Sequence, residues 1–432
     1  MPESNDPLRA FTDLWMEAGA AVMRSAQSFW DTVPGGFRPP QSVLDEYRAD
    51  LSGLPPEAFT VDFMPLTEAW TAQMQGRATE HQQAMVRDWT DAASVKARLG
   101  PEYYADPEQT PVRPSPRDLV HTEGPIELHR YARPEGVAPR GAPVLIVYSV
   151  INRSYILDLT EGDSFVAHLL AQGLDVFMVE WGPTEAGESR SLDWTITQGL
   201  HACVQAIEGI TDAPKVALFG HCIGATFGAM YAALHPDRVS RFLSLTAPYQ
   251  PAEDGVVAFV SEPERFPVDQ VTGSFGQMPA KLIRHTFIAL KPYYELTKWR
   301  TFIRSLGNER AMARFRLIDR WANDNVDVPA GVFAAFVREV LQSRNLVEGA
   351  MVLDGRPVDL GAIDCPILTV HCADDWIVRP ESALALHEAR GERVTDRVVT
   401  LPGGHLALLL DGSQRERWPE LSDFLLGEAA TS

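Results

Sequence analysis

The stretch KVALFGHCIGATFGAMYAALH, residues 215–235, decides the fold. It opens with a short apolar run that is typical of a buried strand, and it closes with a longer alanine-rich run that favours a helix. Between the two lies GHCIG at 220–224, a G-x-Nu-x-G turn with cysteine in the central position. Glycine suits such a turn because neighbouring backbone segments approach closely there. We therefore predict a nucleophile elbow that presents Cys222.

The position of Cys222 at the start of a helix would make its thiol reactive. A helix amino terminus favours the thiolate, and the backbone amide of Ile223 can donate to an oxyanion. The alternative for an isolated GxCxG pattern is a buried, inert cysteine. We predict Cys222 as the nucleophile because partners follow it in the chain order of a catalytic triad.

The acid and the base follow two later strands. CPILTVHCADDWIVRP at 365–380 offers Asp374 and Asp375, and the D-x-[IL]-V pattern favours Asp375; a turn or helix-cap aspartate is the alternative. TLPGGHLALLL at 400–410 supplies His405 behind two glycines. In this arrangement His405 takes the thiol proton, and Asp375 holds the imidazole tautomer and stabilises its cation.

A second oxyanion donor is expected in the loop SVINRS at 149–154, where the Ile151 amide is the candidate. Asn152 and Arg153 could instead only order this loop. We expect His221 to be structural, and we expect His371 to pack rather than to take part in the chemistry.

The rest of the chain predicts an α/β fold in which a mostly parallel sheet is flanked by helices. Continuous apolar strands alternate with helical stretches. The segments DLVHTEG and IELHRYA predict two antiparallel strands joined as a hairpin. The predicted strands are PVLIVYSV (143–150), DVFMVEW (175–181), KVALFG (215–220), SRFLSLTAP (240–248), CPILTVHC (365–372) and RVVTLPG (397–403); the predicted helices include 164–172 and 191–210.

Two further parts complete the predicted organisation. We predict that residues 1–105 form a helical N-terminal segment, which would be a packing arm or dimer contact, or alternatively a surface for a partner or a granule. Residues 106–432 form the catalytic domain. Within it, residues from about 250 to 355 lack strand signals and carry many aromatic and basic residues, so we predict an inserted helical cap.

Composition and charge disfavour several classes of partner and site. The 432 residues carry a formal net charge of −20, and an acidic surface disfavours nucleic acid as a partner. The four cysteines form neither a CxxC pair nor a metal-ligand spacing, so we expect no zinc site and no disulfide framework. No signal peptide or membrane-spanning segment is evident, and we expect a cytoplasmic protein.

With these residues assembled, the chain resembles the polyhydroxyalkanoate synthases of the α/β-hydrolase superfamily, and among them the two-subunit class III type. VYSVINRSYILDL at 147–159 resembles that family's N-[RK]-x-Y-[IM]-L-D-L signature. GLDVFMVEWG (173–182), FVREVLQSRNLVEGAMVLDGRPVDL (336–360), GGH (403–405) and the closing WPELSDFL follow in the family's order.

The resemblance implies an acyltransferase that polymerises (R)-3-hydroxyacyl-CoA into polyester and releases CoA. It implies that Cys222 carries the acyl group, that His405 activates it, and that Asp375 helps to deprotonate the incoming hydroxyl. No metal or organic cofactor is implied. A homodimer, an accessory synthase subunit and the surface of polyester granules are the implied partners.

The sequence also departs from the family pattern. Ile223 follows the cysteine where the family usually has Gln, and Ala225 replaces a glycine. His221 stands where a small apolar residue is common, and Trp376 stands where His is frequent. Two alternatives therefore stay open: a cysteine hydrolase, either thioesterase or depolymerase, and a non-catalytic granule-associated binding protein.

Overall fold

The computed structural model describes residues 112–290, 305, 308–391 and 393–428. The predicted N-terminal helical segment lies outside these residues. The described residues fall into two compact units. One unit comprises 112–263, 275–287 and 317–428 and holds the sheet and every residue of the predicted site; the other includes 264–274 and 308–316.

An eight-stranded sheet forms the centre of the larger unit. Its strands are β1 (Arg117–Glu123), β2 (Ile126–Tyr131), β3 (Val144–Val147), β4 (Val176–Glu180), β5 (Val216–His221), β6 (Val239–Leu245), β7 (Ile367–Cys372) and β8 (Arg397–Leu401). They lie in the order β1-β2-β4-β3-β5-β6-β7-β8. Strands β3 to β8 pair in parallel, while β1 and β2 pair antiparallel. The predicted α/β class and mostly parallel sheet are confirmed.

The burial of the central strands explains why their sequences are continuous apolar runs. Every residue of β3, β5 and β7 is buried, as continuous apolar runs require when helices cover both faces of a sheet. The edge strand β8 alternates between half-buried and exposed residues before its buried end. The hairpin β1–β2 turns at Gly124, whose φ of 56° lies in the left-handed region that glycine tolerates.

Helices connect the strands. They are α1 (Phe165–Ala171), α2 (His201–Thr211), α3 (Ile223–Leu234), α4 (Gly255–Ser261), α5 (Val268–Phe275), α6 (Ala280–Leu290), α7 (Glu309–Asn323), α8 (Ala330–Phe336), α9 (Pro380–Arg390) and α10 (Trp418–Leu426). A short helix, Leu192–Trp194, and a π-helical stretch, Thr195–Leu200, lead into α2, and a second π-helical stretch, Val337–Gln342, continues α8. Short 3-10 or α turns lie at Ser154–Leu157, Leu360–Ala362, Ala407–Leu410 and Gly412–Arg417.

Between β6 and β7 the described chain is mostly helical, as the sequence predicted for a cap insertion. It also contains two ribbons of two-residue strands that were not predicted: Gln277–Met278 with Val328–Pro329, and Val352–Leu353 with Arg356–Pro357. A strand of two residues shows no alternation of apolar and polar positions, so no pattern could reveal it.

The buried apolar core lies on both faces of the sheet. One cluster joins β3, β5 and β7 to helices α1 and α10 through Val144, Phe219, Val370, Phe165 and Phe424. All four cysteines are buried free thiols. Within the described residues, no helix is both long and apolar enough to cross a membrane.

Candidate active site

The turn between β5 and α3 holds Cys222 in a strained conformation. Its backbone angles are φ 54° and ψ −133°, a positive φ that non-glycine residues rarely adopt. The Cys222 amide donates to the Leu245 carbonyl on β6 at 2.9 Å, which anchors the turn to the sheet. The residue is buried at 5% exposure. Strain that the surrounding structure maintains in this way is characteristic of functional positions.

Two glycines make the turn sterically possible. A Cβ on Gly220 would lie 2.3 Å from the Ala225 Cα atom, and one on Gly224 would lie 2.2 Å from the Val147 carbonyl oxygen. Both distances are shorter than any real Cβ contact. The start of α3 therefore packs directly on the end of β3, as the elbow interpretation requires.

Asp375 and His405 are joined by a short hydrogen bond. The Asp375 Oδ2 atom lies 2.7 Å from His405 Nδ1. The Asp375 Oδ1 atom accepts the backbone amides of Ile377 at 2.9 Å and Val378 at 3.0 Å. The carboxylate is completely buried, at 0% exposure. Three donors thus fix it in one orientation.

The electrostatics of His405 favour its charged form. Burial alone would lower the pKa of the imidazole, but the Asp375 carboxylate and the charge and hydrogen bond of the Cys222 side chain outweigh it. Together they raise the pKa of His405 to about 10. The three side chains that the sequence predicted as a nucleophile, an acid and a base are therefore adjacent, and they can form a thiolate–imidazolium pair.

Asp374, the other acid considered, has a different position. Its Oδ2 atom accepts the Gly403 amide at 3.2 Å, and its own amide donates to the Gly403 carbonyl at 3.0 Å. It braces the start of the loop that carries His405, and Asp375 makes the contact with the imidazole.

The two expected oxyanion donors differ in their surroundings. Ile223 begins α3, where backbone amides have no acceptor within the helix. The Ile151 amide makes a long, 3.4 Å hydrogen bond to Ser149 Oγ. The Ile151 carbonyl accepts the Val326 amide at 3.2 Å, which fixes the position of the peptide.

The signature segment INRSYILDL acts as a brace beside this loop. Asn152 forms a β-bridge with Asn325, and the Arg153 carbonyl accepts the Trp321 indole at 2.8 Å. Farther along, the buried Asp158 accepts hydrogen bonds from the hydroxyls of Ser115 at 3.0 Å and Ser164 at 2.5 Å. These contacts of Asn152 and Arg153 hold the loop in place.

His221 is enclosed between two rings. It stacks on Tyr148 with centroids 5.0 Å apart and planes 8° apart, and its centroid lies 5.3 Å from that of His405. Neither of its ring nitrogens has a hydrogen-bond partner among the described residues. Burial, with the charge on His405, holds the pKa of His221 well below its usual value, so the ring stays neutral. His371 donates to or accepts from Thr400 Oγ1 at 3.0 Å and lies outside the triad.

Thr246 was missed by the sequence reasoning. It directly follows β6, between the strands that lead to Cys222 and Asp375, and it has a φ of 47°. Its hydroxyl is buried and has no hydrogen-bond partner in the part of the chain described. A β-branched residue with positive φ is a genuine conformational outlier. No residue pattern signals such a conformation.

No cluster of three or more metal-ligating side chains occurs among the described residues.

A family model agrees with the fold. The sequence profile of the alpha/beta hydrolase fold matches residues 156–412. Among solved structures, a soluble variant of monoglyceride lipase from Saccharomyces cerevisiae is 14% identical, covers 73% of this chain and 96% of its own, and has a TM-score of 0.49.

Curated relatives are more similar in sequence. The poly(3-hydroxyalkanoate) polymerase subunit PhaC of Thiocystis violacea is 31% identical over 72% of this chain and 88% of its own length. The subunit of the same name from Allochromatium vinosum is 32% identical over 77% of this chain and 94% of its own length. The chain therefore belongs to the poly(3-hydroxyalkanoate) polymerase family of the α/β-hydrolase superfamily.

Proposed function

We propose that this protein is an acyltransferase that polymerises (R)-3-hydroxyacyl-CoA into polyhydroxyalkanoate through an acyl group carried on Cys222. The observation that carries the proposal is the continuous interaction from Asp375 through His405 to Cys222 in a member of the polymerase family. The named function of the relatives supplies the substrate class, and the site supplies a nucleophile of the right kind.

In the first step, His405 accepts the thiol proton and the Cys222 thiolate attacks the thioester carbonyl of the substrate. The carbon–sulfur bond to CoA breaks, and CoA leaves as a thiol with the proton from His405. The acyl group is now a thioester of Cys222. The exchange of one thioester for another is nearly balanced in energy, so the acyl group keeps its reactivity.

In the second step, a hydroxyl group attacks the acyl–Cys222 carbonyl. His405 takes the hydroxyl proton and returns it to the Cys222 sulfur as the ester forms. We assign Asp375 to orienting His405 and stabilising its cation. This differs from the direct role implied by family resemblance, since both Asp375 oxygens already bind donors of the protein and the carboxylate is fully buried.

The oxyanion formed in each step would accept the amides of Ile223 and Ile151. The start of α3 meets the end of β3 at Gly224, which supports a shared site for the two donors. The Ile151 amide would exchange its long bond to Ser149 for a bond to the charged oxygen, and a bond to a charged group is the stronger of the two.

The test is incubation of the purified protein with (R)-3-hydroxybutyryl-CoA while CoA release and product size are followed. We expect polymer, and we expect Cys222→Ala to form none. Release of CoA with only free hydroxy acid as product would establish a hydrolase instead. No CoA release by the wild-type protein would favour the granule-binding alternative.

A homodimer, an accessory subunit and attachment to polyester granules are further proposals taken from the family. Light scattering of the purified chain, alone and with substrate, tests the first. Restoration of activity by an added partner subunit tests the second, and sedimentation with isolated granules tests the third.

A further inference from the structure

The loop that carries Asp375 is held from outside by the first turn of α4. The Val256 amide donates to the Trp376 carbonyl at 3.1 Å, and the Val257 amide donates to the Ile377 carbonyl at 3.3 Å. The amides of the same loop bind the Asp375 carboxylate. The loop therefore lies between the carboxylate on one side and α4 on the other.

The first turn of α4 can approach the Asp375 loop this closely because residue 255 is a glycine. Gly255 has a φ of 87°, and a Cβ at this position would lie 2.2 Å from the Trp376 carbonyl oxygen. No side chain fits into that gap without displacing one of the two backbones. The contact is thus built into the local conformation.

Side chains add to the contact. Arg379 forms a 2.8 Å ion pair with Asp254 and donates to the Asp375 carbonyl at 3.3 Å. The Trp376 ring meets Phe287 of α6 edge-on, with centroids 6.1 Å apart and planes at 90°. The Asp254 side chain is 71% exposed, so the ion pair contributes little, and the backbone hydrogen bonds carry most of the interaction.

We propose that residues 254–257, which we term the acid clamp, are positioning residues for the reaction: they hold Asp375 in register with His405. The clamp belongs to the chain between β6 and β7, so this insertion contributes to the chemistry by fixing the acid. This inference rests on the proposed function, since it assigns a role to Asp375 within the same site.

The orientation of His405 depends on the position of Asp375. Asp375 orients His405 through a single 2.7 Å bond, and a shift of its loop lengthens that bond directly. His405 is faced by Cys222, Asp375 and the neutral His221, so Asp375 is the main support of its positive charge. Loss of that support lowers the pKa of His405 and weakens the thiolate–imidazolium pair.

The substitution that tests the clamp is Val256→Pro. Proline is tolerated in the first turn of a helix, and Val256 is the second residue of α4, so the change removes the amide donor while it preserves the helix. We expect CoA release to fall roughly 10- to 100-fold, as misplacement of a catalytic group by about 1 Å does. We also expect iodoacetamide to alkylate Cys222 more slowly at pH 7, because a displaced His405 accepts the thiol proton less readily.

Two comparisons separate positioning from a general loss of stability. Val256→Ala keeps the amide and shortens the side chain, and an equal loss in this variant would overturn the proposal. The double variant Val256→Pro/Asp375→Asn should be no slower than Asp375→Asn alone, because both changes act through one group. A double variant that is slower than Asp375→Asn would contradict the proposal, as would an unchanged rate of Cys222 alkylation in Val256→Pro.

A second variant covers failure of Val256→Pro to fold. Gly255→Ala keeps every backbone amide and places a Cβ 2.2 Å from the Trp376 carbonyl oxygen, so the two segments must separate; it should slow both CoA release and the alkylation of Cys222 by roughly tenfold or more. No change in either would overturn the proposal. Alkylation needs no polymer, so a wild-type protein that releases only free acid would refute the proposed function and leave the clamp testable.

Discussion

His405 Nδ1 lies 2.7 Å from Asp375 Oδ2, while the other oxygen of the same carboxylate accepts two backbone amides of its own loop. Because Nδ1 is engaged with Asp375, the interaction of the imidazole with Cys222 is left to Nε2. Asp375 therefore serves to orient His405 and to stabilise its positive charge.

Asp375→Asn should lower both activity and stability, with a defined pH dependence. The folded pKa of His405 is about 10, above its unfolded value of about 6.5, so its ion pair stabilises the protein fully below pH 6.5. That contribution is lost as pH rises towards 10. Melting temperatures of the wild type and variant between pH 6 and 10 should converge with rising pH, and a constant gap would contradict the assignment. CoA release should fall roughly 10²- to 10⁴-fold.

Cys222→Ser should lose most of the activity, by roughly 100-fold or more. The hydroxyl of serine is much harder to ionise than a thiol, so the ion pair with His405 does not form. Initial rates of CoA release measure the effect. The melting temperature serves as the control and should stay close to that of the wild type, and full retention of rate would show that thiolate formation is unnecessary.

Gly224→Ala should disrupt the elbow. The new Cβ would lie 2.2 Å from the Val147 carbonyl and 2.5 Å from the Tyr148 carbonyl, so β3 and α3 must separate. We expect a loss of about 1–3 kcal/mol in the free energy of unfolding, together with lost CoA release. Gly209→Ala in α2 is the matched control. Among the described residues, no heavy atom outside its own stretch of helix lies within 4 Å of the new Cβ, and we expect a gain of about 0.5–1 kcal/mol in the free energy of unfolding. Denaturant titration measures the free energy of unfolding of both variants, and an equal change in the two would contradict a steric requirement for Gly224.

His221→Phe should leave the protein as stable as the wild type or more so. The phenyl ring keeps the stack on Tyr148 and removes two buried nitrogens that lack partners in the described chain. The sign of its pH dependence follows from the depressed pKa of His221. Such a group lowers stability as pH falls below about 6.5. As the pH falls from 6.5 to 5, the melting temperature of the variant should therefore rise relative to that of the wild type. If the two melting temperatures fall in parallel instead, a neutral His221 is refuted.

The sequence predicted the parts of the fold that depend on local pattern. The strands that lead to Cys222 and Asp375 were found because fully buried strands are continuous apolar runs. The elbow was recognisable because its two glycines are sterically required. The D-x-[IL]-V motif favours Asp375 over Asp374, and only the three-dimensional arrangement shows which carboxylate contacts His405.

The features that the sequence did not predict depend on contacts between residues that are distant in the chain, or on unusual backbone conformations. The clamp joins Val256 to Trp376 through backbone atoms, and backbone hydrogen bonds leave no trace in residue identity. The Asp-Gly pair at 254–255 signals a turn, although not what the turn touches. The positive φ of Thr246 was equally hidden, because threonine rarely adopts it.

The central claim is that Cys222 carries the acyl group, and mass spectrometry of the acid-quenched enzyme tests it most directly. The wild-type protein is mixed with (R)-3-hydroxybutyryl-CoA, quenched within the first turnover and digested. We predict hydroxybutyryl groups on the peptide that contains Cys222, and none on the same peptide of Cys222→Ala. Release of CoA while that peptide remains unmodified, or acylation at another residue, would contradict the account.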